Sequence, residues 1–77
     1  MYRRWEVVKR RVDELFEGLP KHLSVEQLAD VLGVTRNTAY RYLKGGQIPA
    51  YRVGTSWVIL RDEVKDLLVR SRVGPDE

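Results

Sequence analysis

A short segment in the middle of the chain carries side chains of the types that read nucleic-acid bases. Arginine can donate two parallel hydrogen bonds to guanine, asparagine pairs with adenine, and threonine meets either bases or phosphates. If Ala39, Tyr42 and Leu43 turn inward on a helix, the polar residues form its outer face and its amino-terminal tip. The candidate DNA-binding residues of this segment are Arg36, Asn37, Thr38, Tyr40, Arg41 and Lys44.

The position of each residue along this helix suggests its role. The amino end of a helix in the major groove points at base edges, which favours Arg36 and Asn37 as readers. Tyr40 either joins them or packs against the neighbouring hairpin. Arg41 and Lys44 lie further along and suit phosphate groups, which position a protein on the duplex without reading its sequence.

The positive charge of the chain is concentrated in the same region. Residues 31–61 contain five basic side chains and no acidic one, within a chain of net charge +3. Residues 1–30 carry six basic and six acidic side chains, and residues 62–77 carry three basic and five acidic ones. An acid-free basic segment between neutral and acidic ends indicates a polyanionic partner.

The composition gives little indication of a catalytic site, a cofactor site or a metal site. The chain has no cysteine, and the single histidine, His22, stands beside Pro20 in a predicted loop without a second ligand at metal-binding spacing. Gly45 and Gly46 are not followed by the lysine of a phosphate-binding loop. A chain of 77 residues also has little room to enclose a catalytic cleft. We expect a binding module that is not an enzyme and needs no cofactor.

The same composition predicts a protein of the cytoplasm. No apolar run approaches 18 residues, and the basic start of the chain is not followed by an apolar stretch of secretory length. We therefore expect no membrane partner.

Residues 1–20 are predicted to form an amphipathic helix. Its apolar stripe spans an arc of about 100°, and Gly18 and Pro20 stop the helix after about Glu17. The stripe either packs on the rest of the domain or forms a dimer interface. It consists of Trp5, Val8, Val12, Leu15, Phe16 and Leu19.

Residues 23–44 have the pattern of two helices joined by a tight turn. Ser24 and Gln27 have the spacing of a capping box at the start of the first helix. Gly33 allows a left-handed turn, Thr35 suits the cap of the second helix, and Gly45 ends it. This arrangement predicts a helix-turn-helix.

Residues 48–60 are predicted to form a β-hairpin that serves as a wing. The strands Ile48–Val53 and Ser56–Leu60 flank Gly54-Thr55, a loop suited to a type II′ turn. Pro49 indicates a sheet edge. The predicted register pairs Arg52 with Trp57 and Ala50 with Ile59.

Residues 62–70 complete the predicted domain with a last helix, whose inner side carries Val64, Leu67 and Leu68. Residues 71–77 contain Gly74-Pro75 and are predicted to be a disordered tail. The expected fold is mostly α with a small β-hairpin. It is a single winged helix-turn-helix domain over residues 1–70, with an additional amino-terminal helix.

The segment LSVEQLADVLGVTRNTAYRYLKGGQIPAYRVGTSWVILRDEVKDLL, residues 23–68, resembles the excisionase-type helix-turn-helix family, whose members are small relatives of the MerR winged-helix domain. The resemblance implies double-stranded DNA binding, with the second helix in the major groove and the wing at the adjacent backbone or minor groove. It implies that Arg36, Asn37, Thr38, Tyr40 and Arg41 are recognition-helix contacts and that Arg52 is the wing contact. Where relatives have basic residues after the wing glycine, this chain has Thr55 and Ser56. The wing therefore either binds phosphate through hydroxyl groups and Arg52 alone or hardly binds DNA at all.

The resemblance allows two functions, an accessory role in site-specific recombination or the regulation of transcription. Further partners would be a second copy or a cooperative multimer on DNA, or a recombinase bound nearby. The alternative to a DNA-binding protein is a protein-interaction module, which would bind a partner protein through the apolar stripe of the amino-terminal helix.

Overall fold

The computed structural model describes the backbone of residues 4–73 and the side chains of residues 6–73. It is mostly helical, with one small antiparallel sheet in the strand order β1-β3-β2, which confirms the predicted fold class. The elements are α1 (Arg4–Leu15), β1 (His22–Leu23), α2 (Val25–Leu32), α3 (Arg36–Lys44), β2 (Tyr51–Val53), β3 (Ser56–Leu60) and α4 (Arg61–Arg70).

Strand β1 corrects the prediction that His22 lies in a loop. His22 pairs with Leu60 and Leu23 pairs with Ile59, so the wing is part of a three-stranded sheet. The strand forms because the free edge of β3 needs hydrogen-bonding partners and because Leu23 is almost fully buried beneath it. The His22 side chain is exposed, as expected of a surface histidine.

A single hydrophobic core joins the helices to the sheet. Its largest fully buried side chains come from the turn after α1, from two strands and from two helices: Phe16, Leu23, Leu28, Ile59 and Val64. Full burial of a large apolar side chain contributes about 1.5–3 kcal/mol. The sheet is therefore anchored on its inner side.

Helix α1 packs against α4, which is the first of the two arrangements that the sequence left open. Val8 is buried in this contact, and the Asp13 carboxylate lies 2.7 Å from Lys65 Nζ. This hydrogen bond lowers the pKa of Asp13 below its ordinary value. Beyond the helix, Arg61 Nη1 donates to the carbonyl oxygen of Leu19 at 2.9 Å.

The apolar stripe of α1 is covered only in part. Phe16 is buried, and Val12 and Leu19 pack at the edge of the core, but Leu15 is 51% exposed. Leu15 and Phe16 are 100° apart on a helical projection and mark opposite edges of the stripe. The Phe16 edge of the stripe is therefore buried, whereas the Leu15 edge is partly exposed. The side chain of Trp5 lies outside the described residues.

The remaining elements differ from the prediction at their ends. Helix α1 ends at Leu15, before the predicted boundary, and α4 begins one residue earlier than predicted, at Arg61. Strand β2 starts at Tyr51, so the expected pairing of Ala50 with Ile59 is not part of the ladder. Of the predicted tail, residues 71–73 follow α4 without forming a helix or strand, and residues 74–77 lie outside the described part of the chain. Within residues 4–73, no helix is long and apolar enough to cross a membrane.

Candidate nucleic-acid interface

The first helix of the predicted helix-turn-helix begins at the capping box expected from the sequence. The Ser24 side chain accepts a hydrogen bond from the Gln27 backbone N–H at 3.0 Å, and Gln27 Oε1 accepts one from the Ser24 N–H at 2.9 Å. Both bonds satisfy backbone donors that have no partner within the helix. The start of α2 is therefore set by local chemistry.

Gly33 makes the turn between α2 and α3. Its φ of 70° is left-handed, a conformation that a Cβ atom disfavours by about 1–2 kcal/mol. The next residue, Val34, donates its N–H to the Ala29 carbonyl at 3.0 Å and closes the end of α2. Ala29 and Ala39 are buried, and their small side chains let α2 and α3 pack closely. This turn determines the direction in which α3 leaves α2.

Thr35 caps α3 as predicted. Its hydroxyl oxygen accepts from the Thr38 backbone N–H at 3.2 Å and also donates to Thr38 Oγ1 at 2.9 Å. The Thr38 hydroxyl is half-buried in this contact and keeps its own proton for another acceptor. Thr38 therefore takes part in the cap of α3 and also belongs to the outer surface of the helix.

The outer face of α3 is basic and polar, and its inner face is apolar. Ala39 and Leu43 are buried, whereas Tyr42 packs against the core while half-buried, as expected. No acidic residue lies in α3, and its last turn carries two basic residues. The exposed side chains are Arg36, Asn37, Arg41 and Lys44, while Thr38 and Tyr40 are half-buried.

Arg36 is held at the start of this face by two neighbours. Its Nη1 lies 3.5 Å from Glu26 Oε2, and its guanidinium carbon lies 5.9 Å from the centre of the Tyr40 ring. Both charged side chains are mostly exposed, so the ion pair contributes little to stability. The acid-free segment identified in the sequence thus has a carboxylate beside it in space. No signal in the charge pattern along the chain reveals this neighbour, because Glu26 belongs to α2.

The wing turns at Gly54 and Thr55. Gly54 has a φ of 61°, whereas every described residue other than glycine has a negative φ. A type I′ turn needs positive φ at both central residues, whereas the predicted type II′ turn needs it only at the first, as found here. The ladder pairs Val53 with Ser56, in the expected register. The predicted wing residues Arg52, Thr55 and Ser56 are all exposed around this turn.

Arg52 contacts an aromatic residue outside the site predicted from the sequence. Its guanidinium carbon lies 4.9 Å from the centre of the Trp57 ring, and its Nε donates to the Gly54 carbonyl oxygen at 3.3 Å. The predicted pairing of Arg52 with Trp57 was the available signal, since directly opposed residues on a hairpin share a face.

The base of the wing is tied to α4. The Tyr51 hydroxyl donates to Glu63 Oε2 at 2.7 Å, and this acceptor raises the pKa of Tyr51 above its ordinary value. The contact joins the edge strand to the helix that also supports α1. Among the described residues, no group of three histidine, cysteine or carboxylate side chains is placed to hold a metal ion.

Comparison with known proteins finds both a family and individual relatives. The family described as a helix-turn-helix domain matches residues 23–71. The excisionase of Mycobacterium phage D29 is 37% identical over 51 residues, which cover 65% of this chain and 91% of the phage protein. Uncharacterized proteins of Mycobacterium bovis and Mycobacterium tuberculosis are 40% identical over 42 residues, or 54% of this chain and 37% of each relative. The match thus spans little more than a third of those two relatives. No solved structure matches the chain significantly.

Proposed function

The chain belongs to the helix-turn-helix domain family, and we propose that it binds double-stranded DNA with α3 in the major groove. The exposed face of α3 carries this proposal. It presents arginine, asparagine and lysine to solvent and contains no acidic residue, while the opposite face is buried. These side-chain types bind base edges and phosphates, and the capped turn before them presents them in a defined orientation.

Within α3 we assign base reading to the amino end and phosphate binding to the rest. Arg36 and Asn37 lie in the first turn, where side chains of a recognition helix reach base edges. Tyr40 supports Arg36 through its ring, and Thr38 has a hydroxyl proton to donate. Arg41 and Lys44 then bind phosphates of the groove wall.

The wing forms the second part of the proposed interface. Arg52, Thr55 and Ser56 are exposed around the Gly54 turn, where one guanidinium and two hydroxyl groups suit the adjacent backbone or minor groove. Because two of these three groups are uncharged, we expect the wing to add less salt-dependent affinity than α3.

Similarity to a phage excisionase supports an accessory role in recombination, in which the protein occupies or bends DNA and recruits other DNA-bound proteins. Regulation of transcription would use the same surface. This function requires no catalytic group. The alternative of a protein-docking module has less support, because Val8 and Phe16 of the amino-terminal stripe are already buried.

The test is a measurement of duplex binding at several salt concentrations. Selection from a randomised duplex pool supplies the preferred sequence, and fluorescence anisotropy then gives the affinity. Phosphate contacts by Arg41, Lys44 and Arg52 predict a slope of about −3 when log affinity is plotted against log salt concentration. A slope near zero, or no binding at low salt, would contradict the proposal and favour the protein-docking module.

A further inference from the structure

The wing contains a cationic side chain whose conformation is restricted by two contacts within the protein. Arg52 and Trp57 are opposite each other in the β2–β3 ladder, so the indole lies against the guanidinium group at 4.9 Å. The hydrogen bond from Nε to the Gly54 carbonyl holds the same group from the side of the turn. An exposed arginine without such contacts samples many rotamers and loses that freedom on binding.

The two sides of this contact differ in their surroundings. Trp57 is half-buried and packs against the hydrophobic core, whereas Arg52 is exposed. The indole is therefore positioned by the core and in turn positions the guanidinium. Arginine stacks on an aromatic face through its planar, delocalised charge, which a lysine ammonium group does not reproduce.

The contacts leave the binding end of Arg52 available. A guanidinium group has five N–H donors, and the bond to Gly54 uses the one on Nε. Within residues 6–73, no hydrogen bond uses the four donors on the two Nη atoms. Paired Nη donors in one plane match two oxygens of a phosphate group.

We propose that Trp57 is a positioning residue for DNA binding. It holds the paired Nη donors of Arg52 towards a phosphate of the duplex backbone. This inference rests on the proposed function. Trp57 itself makes no contact with DNA in this arrangement. Its contribution is that the guanidinium is already immobilised, so that less side-chain freedom is lost on binding.

The experiment compares duplex affinity for Trp57→Leu, Trp57→Phe, Arg52→Ala, Arg52→Lys and the double variant Trp57→Leu/Arg52→Ala. We expect Trp57→Leu to weaken binding about three- to tenfold and Trp57→Phe to weaken it less, because phenylalanine keeps an aromatic face. Arg52→Lys keeps the charge but loses the planar fork, so its affinity should fall close to that of Arg52→Ala.

Two readouts separate positioning from a general structural role. In the Arg52→Ala background, Trp57→Leu should have no further effect on affinity, since the side chain that it positions is gone. Arg52→Ala should reduce the magnitude of the salt slope by about one, whereas Trp57→Leu keeps the charge and should leave the slope almost unchanged. Equal loss from Trp57→Leu in both backgrounds would overturn the proposal.

The Arg52 variants keep the proposal testable even if Trp57→Leu does not fold, which a thermal melt would show. Arg52→Lys binding as well as the unaltered protein would mean that charge alone suffices, and would overturn the role of the stacked geometry. Failure of the unaltered protein to bind any duplex would instead overturn the proposed function, and so the two failures are distinguishable.

Discussion

Asn37 and Arg41 lie one helical turn apart on the outer face of α3, and their surroundings are alike. Both side chains are exposed, and within residues 6–73 neither forms a hydrogen bond or an ion pair. Arg36, by contrast, has Glu26 and Tyr40 beside it. Asn37 and Arg41 are thus the pair in which DNA contacts are best separated from effects on folding.

We predict that substitution of these two residues has different consequences for sequence preference. Asn37→Ala should cost about 1–3 kcal/mol on the preferred duplex and change non-specific binding little, because its proposed role is to read a base. Arg41→Ala should weaken all duplexes alike and reduce the magnitude of the salt slope by about one, because its proposed role is to bind a phosphate. Affinities for the preferred and a scrambled duplex at two salt concentrations measure both effects.

The matched control for this pair is the stability of each variant. Neither change should cost more than about 0.5 kcal/mol of unfolding free energy, because both side chains are exposed. If Arg41→Ala relaxed the sequence preference while Asn37→Ala acted uniformly, the assigned roles would be reversed. Unfolding of either variant would show that the DNA-facing side of α3 lies elsewhere.

At the scale of elements, the relation between α2 and α3 depends on one backbone conformation. Gly33 has a left-handed φ, and no atom lies within 4 Å of the position that a Cβ would occupy. The cost of a side chain at this position is therefore conformational strain rather than a steric clash. Ala29 and Ala39 lie in the same crossing and are buried, so the strain could not be relieved without moving α3.

We predict that Gly33→Ala lowers the free energy of unfolding by about 1–2 kcal/mol, the cost of a left-handed conformation in a residue with a Cβ atom. Gly33→Asn is the matched variant and should cost less, because asparagine adopts this conformation more readily. Urea unfolding monitored by circular dichroism gives both values. Alanine as stable as glycine, or asparagine worse than alanine, would contradict the strain explanation.

For the whole molecule, the additional helix and the recognition helix pack on different elements. Helix α1 packs against α4, whereas α3 packs against α2, and the wing is joined to α4 through Tyr51 and Glu63. Residues 4–73 therefore contain one helix-turn-helix and one wing, supported by a single core. A single module of this size offers a small interface with DNA.

We predict that one copy binds an isolated site weakly, at the low end of specific affinities, and that repeated sites bind cooperatively. Analytical ultracentrifugation with duplexes carrying one site, direct repeats or inverted repeats would determine the number of copies bound. A scrambled duplex of equal length is the control for non-specific loading. Tight binding of a strict monomer to one isolated site would contradict this prediction.

Local chemistry along the chain determined a large part of the fold and of the candidate site. The caps at Ser24 and Thr35, the turn at Gly33 and the register of Arg52 with Trp57 were all predicted. Each of these features involves residues only a few positions apart, so the side-chain types and their spacing are enough to specify them. The exposed face of α3 followed from helical periodicity for the same reason.

Tertiary structure decided the contacts between residues that are distant in the chain. A strand of two residues has no periodic pattern, so β1 is defined only by its pairing of His22 with Leu60. Glu26 reaches Arg36 only because the turn folds α2 against α3. Phe16 is buried and Leu15 is exposed although they are neighbours in the chain, which only the packing of α1 decides. Such contacts depend on how the elements pack in three dimensions. The sequence of each element alone does not specify that packing.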